Sequence, residues 1–143
     1  MKISTRGRYA LRVMIDLAEH NSDTPIPLKD IVARQEISQK YLEGIMTDLS
    51  KAGILGAQHG KGGGYKLNRS PDQISVLEVL QTTEGDLAPI SCLTVEAEPC
   101  ARAAECRTLP MWEKLYALIR EYLGGVSLAD LMQQDTGGDN YVI

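Results

Sequence analysis

The chain has 143 residues, 43% of them apolar and 24% charged, a composition that suits one folded unit with a modest core. No apolar run approaches the roughly 20 residues needed to cross a bilayer, and Asp16 and Glu19 interrupt the segment behind Lys2, Arg6, Arg8 and Arg12. A secretory signal is therefore not expected, and the expected compartment is the cytoplasm. The net charge of −4 conceals a division, with a net +4 over residues 1–69 and a net −8 over residues 70–143. One end is suited to meet a polyanion and the other to stay clear of it.

From Tyr9 to Glu19 the residues Ala10, Val13, Met14, Leu17 and Ala18 recur at helical spacing, with the arginines at the start or on the polar face. The polar, Pro-containing stretch 21–27 closes this first helix. A short second helix is expected from Leu28, with Pro27 suiting its first turn and Leu28, Ile31 and Val32 forming one stripe. Gln35, Glu36 and Ile37 make a tight connection. Ser38 is a good N-cap for a third helix, in which Leu42, Ile45, Met46 and Leu49 point one way and which Gly53 stops. Two short helices joined by so tight a turn form a helix-turn-helix candidate over residues 28–51.

Ile54 and Leu55 begin a strand, and Tyr65 and Leu67 alternate with Lys66 and Asn68 on a second. Between them lies Gln58-His59-Gly60-Lys61-Gly62-Gly63-Gly64. A glycine-rich, cationic hairpin placed directly after a helix-turn-helix reads as the wing of a winged helix. Its glycines let the backbone approach another surface closely. A phosphate-binding loop is excluded, because no Lys-Ser/Thr pair follows the glycines and no helix begins there.

Ser75 and Glu78 form a capping box for a fourth helix carrying Val76, Val79 and Leu80 and ending near Gly85. Residues 86–107 show no sustained period and read as a loop. From Pro110 to Leu123 two neighbouring stripes appear, Met111, Leu115, Leu118 and Tyr122 beside Trp112, Tyr116, Ile119 and Leu123, each with coiled-coil spacing. A domain this small needs one such stripe for its own core, so the second is expected to pack on another subunit. Ser127 caps a last short helix. The expected fold is mainly α with a small β wing: a winged helix-turn-helix plus a long C-terminal dimerisation helix. The DNA-binding domain would span 1–84 (wing about 54–68), the cysteine loop 85–108, and the dimerisation helix with the short C-terminal helix 109–133. Residues 134–143 would be a mobile tail.

In a helix-turn-helix the third helix enters the major groove with its N-terminal turns. The candidates there are Ser38, Gln39, Lys40, Tyr41 and Glu43, then Thr47 and Lys51. Gln39 can pair with adenine, Lys40 can reach guanine or phosphate, and Glu43 can accept from a cytosine amino group. A carboxylate facing DNA costs affinity, so Glu43 would act chiefly as a discriminator between sites. Lys2, Ser4, Thr5, Arg6 and Arg8 can contact phosphate from the first helix. His59 and Lys61 would lie over the backbone or the minor groove, with Gly62, Gly63, Gly64 and Tyr65 carrying the wing close to it. A homodimer would read a pseudo-palindrome in double-stranded DNA with half-sites about one turn, ~34 Å, apart, and no membrane partner is expected. Enzyme function is not expected, since no catalytic constellation is apparent among so few histidines.

The opening Met-Lys-Ile-Ser-Thr-Arg-Gly-Arg-Tyr-Ala-Leu-Arg, the segment Ile37-Ser38-Gln39-Lys40-Tyr41-Leu42-Glu43 and the wing Gly60-Lys61-Gly62-Gly63-Gly64-Tyr65 together resemble the Rrf-two family of bacterial regulators. That family contains the iron–sulfur regulator IscR, the cysteine-metabolism repressor CymR and the nitric-oxide sensor NsrR. The resemblance covers nearly the whole chain. It implies a homodimeric winged helix with a long crossed dimerisation helix, acting mainly as a repressor.

Cys92, Cys100 and Cys106 are the only cysteines and are spaced C-x7-C-x5-C. An odd, clustered set argues against a disulfide framework. Thiolates suit an iron–sulfur cluster or zinc, and bare thiols can respond to oxidation. The resemblance implies the ligand role, because cluster-binding members of the family place three cysteines in this loop. It favours an iron–sulfur cluster, with a 2Fe–2S form preferred over a four-iron one. IscR-like proteins supply a histidine three residues after the last cysteine, where this chain has Leu109. NsrR-like proteins use an aspartate in the first helix, where this chain has Arg8. The fourth ligand is therefore not assigned; Glu96, Glu98 and Glu105 are nearby oxygen donors. The expected function is a regulator sensing iron–sulfur or redox status. The alternative is a CymR-like repressor of cysteine metabolism without a cluster, controlled by a partner enzyme or by thiol oxidation.

Overall fold

The structure, a computed structural model, describes residues 2–133. The expected tail at 134–143 lies outside the described residues. Helix α1 (Thr5–Glu19) begins at Ser4, whose hydroxyl accepts the Gly7 N–H. It thus starts four residues before the apolar period does. The segment Thr5-Arg6-Gly7-Arg8 shows no apolar stripe, yet the N-cap and its first-turn hydrogen bond suffice to make it helical. Ala10, Val13, Met14, Leu17 and Ala18 are buried along one face.

Helix α2 (Leu28–Gln35) ends at Glu36, which adopts φ 55°, a left-handed conformation that non-glycine residues seldom take. One residue thereby reverses the chain and buries Ile37 before α3 (Gln39–Lys51) begins. Ser38 caps α3 by accepting the Tyr41 N–H at 3.3 Å. At the other end Gly53, at φ 78°, donates to the Ser50 carbonyl at 3.0 Å, and Ile54 donates to the Leu49 carbonyl at 3.1 Å. That pair of bonds is a Schellman motif, and its hydrophobic contact is the buried Ile54 against Leu49.

Strands β1 (Leu55–Gln58) and β2 (Gly64–Leu67) pair antiparallel, from Leu55 opposite Leu67 to Gln58 opposite Gly64. A third element joins them that the sequence reading lacks. Ile26 and Tyr65 exchange both backbone hydrogen bonds, at 2.8 and 2.9 Å, so the segment before α2 lies against the wing. Gly64 makes this possible, because a Cβ there would stand 2.2 Å from the Ile26 carbonyl oxygen.

Helix α4 (Val76–Glu84) carries the expected capping box of Ser75 and Glu78. The loop beyond it contains a single 3₁₀ turn, Ser91–Leu93, and leads to α5 (Leu109–Gly124) and α6 (Leu128–Met132). The core is built from α1, α2, α3, the base of the wing and the fully buried Leu128 of α6. Val76 donates to Val126 at 2.8 Å and Leu128 donates to Ile74 at 3.0 Å, which pins α6 beside the start of α4. The short C-terminal helix, grouped with α5 on sequence grounds, is folded back onto α1 and the start of α4.

Helix α5 buries no residue completely. Its stripe of Met111, Leu115, Leu118 and Tyr122 is 53, 38, 51 and 72% exposed. Trp112, Tyr116, Ile119 and Leu123 are half-buried against the rest of the chain. The two stripes thus separate into an inward and an outward one. No helix among the described residues is long and apolar enough to cross a membrane.

Candidate nucleic-acid interface and cysteine loop

The helix-turn-helix is fastened to α1 by a charge inside the core. Asp16 is 3% exposed and accepts from Arg34 Nε and Nη2 and from Gln35 Nε2, at 2.7–3.2 Å. Burial pushes its pKa up, but the hydrogen bonds from Arg34 and Gln35 and the Arg34 charge outweigh burial and hold it below the ordinary carboxylate value. Arg12 reinforces the joint by donating to the Gln35 carbonyl at 2.6 Å, at the end of α2. The Arg12 guanidinium also lies 5.1 Å from the centre of the Tyr9 ring, and Tyr9 meets Tyr41 of α3 edge to face at 5.8 Å.

Gln39, Lys40, Tyr41, Glu43, Thr47 and Lys51 are all exposed on α3, and Ser38 stands at its start. Gln39 Nε2 donates to Glu43 Oε1 at 3.2 Å, so the two base-reading candidates bond to each other across one helical turn. Thr47 Oγ1 donates to the Glu43 carbonyl at 2.8 Å. The wing presents His59 and Lys61 exposed on the loop 59–63, where Gly60 and Gly62 take positive φ. Gly63 is required because a Cβ would meet the Gln58 carbonyl oxygen at 2.2 Å. Gly64 and Tyr65 are held below the loop by Ile26 and are only half exposed.

Lys2, Thr5 and Arg8 are exposed at the start of α1, with Arg8 donating to Thr5 Oγ1 at 3.1 Å. Two neighbours are already engaged. Arg6 pairs with Asp48 and donates to the Gly44 carbonyl at 3.1 Å, which ties α1 to α3 rather than reaching outward. Ser4 gives its backbone N–H and its hydroxyl to Glu84. Thr5, Tyr9, Ser38 and Tyr41 line a cleft of about 370 Å³ with Glu36 and Ile37, between the start of α1 and the turn before α3. Tyr9, Arg12 and Asp16 are the working residues that sequence reasoning left out. Their partners on α2 and α3 are 18 or more positions away, and no local pattern reveals them.

Cys92 and Cys100 are exposed, Cys106 is half-buried, and all three are free thiols. Cys92 sits in the 3₁₀ turn, in a segment fastened by Asp86, whose carboxylate accepts the N–H groups of Ala88 and Val95 at 2.8 Å and the Tyr116 hydroxyl at 3.2 Å. Cys106 Sγ lies 3.5 Å from Thr108 Oγ1, just before α5. The Thr108 hydroxyl, followed by the Thr108 and Leu109 amides, lowers the Cys106 pKa by favouring the thiolate. Three soft donors on one loop fit a thiophilic centre in their chemistry. The loop as folded does not gather them: among the described residues no three His, Cys, Asp or Glu side chains converge at metal-binding range. Glu96, Glu98 and Glu105 are exposed on the same loop, and neither Leu109 nor Arg8 offers a fourth donor.

Residues 3–134 match the family model Rrf2, described as iron-dependent transcriptional regulator. The chain belongs to the Rrf2 family. The HTH-type transcriptional regulator IscR of Aliivibrio salmonicida is 39% identical over 132 residues, covering 92% of this chain and 77% of that protein. Among solved structures, CymR, the global cysteine regulator of B. subtilis, superposes with a TM-score of 0.74 at 32% identity, over 94% of this chain and 99% of that one. T. potens IscR superposes with a TM-score of 0.70 at 33% identity, over 99% of this chain and 97% of that one. This Rrf2 protein is accordingly a transcription regulator with a winged-helix fold, not an enzyme.

Proposed function

We propose that this Rrf2 protein is a homodimeric, mainly repressing regulator that reads a pseudo-palindromic operator and senses iron–sulfur or redox status through its cysteine loop. One observation carries the DNA reading. An exposed polar face on the first turns of α3 and an exposed cationic glycine wing stand on the same head, together with the exposed Lys2, Thr5 and Arg8 at the start of α1. Gln39 reads a base edge, Glu43 penalises sites that offer it no amino group, and Lys40, Lys51, His59, Lys61 and Arg8 supply phosphate contacts that fix the register. The naked stripe of α5 supports a twofold pairing that sets the distance between the two heads. The chain would then lie in the cytoplasm, where its DNA is.

Cys92, Cys100 and Cys106 would hold the cluster, for which a 2Fe–2S form is the first choice and the fourth ligand is open. When bound, the cluster supplies a redox-responsive centre that cross-links the loop. What this chain's residues do is transmit the loop's arrangement, since Asp86 and Tyr116 bind the loop to α5 and α4 ends at its root. A second reading is favoured by the separate placement of the three thiols: a CymR-like regulator in which cysteine oxidation or a partner enzyme changes the same loop without a cluster.

Anaerobic purification separates the two. A coloured protein with stoichiometric iron and sulfide, whose operator affinity changes when the cluster is removed, supports the first. A colourless, iron-free protein whose operator affinity changes on thiol oxidation supports the second.

A further inference from the structure

We infer that Glu84 is a positioning residue that links the root of the cysteine loop to the DNA-facing end of α1, an inference that rests on the DNA-binding reading above. Glu84 is the last residue of α4, and its Oε1 receives both the Ser4 N–H, at 3.0 Å, and the Ser4 hydroxyl, at 2.5 Å. Ser4 is in turn the N-cap of α1, with its Oγ accepting the Gly7 N–H at 3.2 Å. The carboxylate therefore stands at the positive end of the α1 dipole and fixes where that helix starts. Gly7 permits the approach, because a Cβ at that position would lie 2.2 Å from Glu84 Oε1.

The contact has an outlet on each side. One residue from Gly7, Arg6 grips Asp48 and the Gly44 carbonyl of α3, so a shift of the first turn of α1 reaches the recognition helix. Two residues beyond Glu84, Asp86 gathers Ala88, Val95 and Tyr116 into the anchored half of the cysteine loop, with Cys92 inside it. Gly85 between them takes φ 79° and ends α4. The loop root, the cap of α1 and the recognition helix are thus joined by consecutive contacts through one carboxylate. Thr5 and Arg8, two of the phosphate-contacting candidates, lie on the turn that it holds, and Lys2 stands just before the Ser4 cap.

The test is a mutant cycle on the full chain, with operator affinity and amide hydrogen exchange of residues 4–7 as readouts and thermal unfolding as a control. Glu84→Ala should speed exchange of the Ser4 and Gly7 amides and weaken operator binding by roughly fivefold or more, the lower end of ordinary coupling. Glu84→Gln keeps an acceptor for both Ser4 donors and should stay near wild type in exchange. Gly7→Ala, which displaces the carboxylate from the opposite side, should reproduce the effect of Glu84→Ala. Asp86→Ala should change exchange at residues 4–7 in the wild-type background and have no further effect in Glu84→Ala. Additive effects of Asp86→Ala and Glu84→Ala, or unchanged exchange in Glu84→Ala, overturn the link. A wild-type chain that binds no operator while the exchange cycle stays non-additive refutes the DNA reading and leaves the link standing.

Discussion

Helix α1 buries Ala10, Val13, Met14, Leu17 and Ala18 in one face, whereas α5, of nearly the same length, buries no residue fully and leaves Leu118 half exposed. The two helices are comparably rich in apolar side chains, so the difference lies in what surrounds them. The head closes on itself, with α6 returning to place Leu128 against α1, while α5 and the cysteine loop stand outside that closure. A head that is complete in one chain can hold its α3 and wing at a fixed spacing. An arm that is incomplete can take a second copy and respond to what its loop binds.

The contrast can be broken most severely at its seam. Leu128→Ala should destabilise the head by about 3 kcal/mol, as for other fully buried leucines, and lower the denaturant midpoint without changing the slope. An effect below about 1 kcal/mol would place α6 outside the core. Asp16→Ala should cost somewhat less, about 2 kcal/mol, since Arg34 keeps partial access to water. The pH dependence has a fixed sign. Because Asp16 is held below its ordinary value when folded, its contribution is complete above about pH 4 and is lost as the pH falls through the lowered folded value. Urea midpoints of wild type and variant should therefore converge on acidification. Leu118→Ala should change the stability of the dilute single chain by no more than about 0.5 kcal/mol, while shifting the sedimentation of the concentrated protein towards the monomer. A large loss of stability in the dilute chain would mean that the outward stripe is part of the chain's own core.

What the sequence made legible follows the same division. Ser38, Ser75, Ser127 and Gly53 announce helix ends because a cap acts on residues three or four positions away, and all four act as expected. The two stripes of α5 were separable from spacing alone. The start of α1 was obscured because Arg6, Gly7 and Arg8 carry no period, although Ser4 was a readable cap. The bridge from Ile26 to Tyr65, the return of α6 to Ile74, the seat of Asp16 and the grip of Arg6 on Asp48 join positions 18 to 54 residues apart, and local pattern carries no trace of them. For the site, residue types and exposure were legible on α3 and the wing. The engagement of Ser4 and Arg6 was not, and neither was the separation of the three thiols.

On the reading proposed above, α3 and the wing of one head meet duplex DNA together. This is tested most directly by titrating labelled promoter fragments with wild type and Lys61→Ala across a salt series. Joint contact by α3 and the wing should give sequence-selective binding whose logarithm falls linearly with the logarithm of salt, and a slope that is smaller by about one per removed phosphate contact in the variant. Binding that is indifferent to both salt and sequence, or a wing variant with an unchanged slope and affinity, would contradict it.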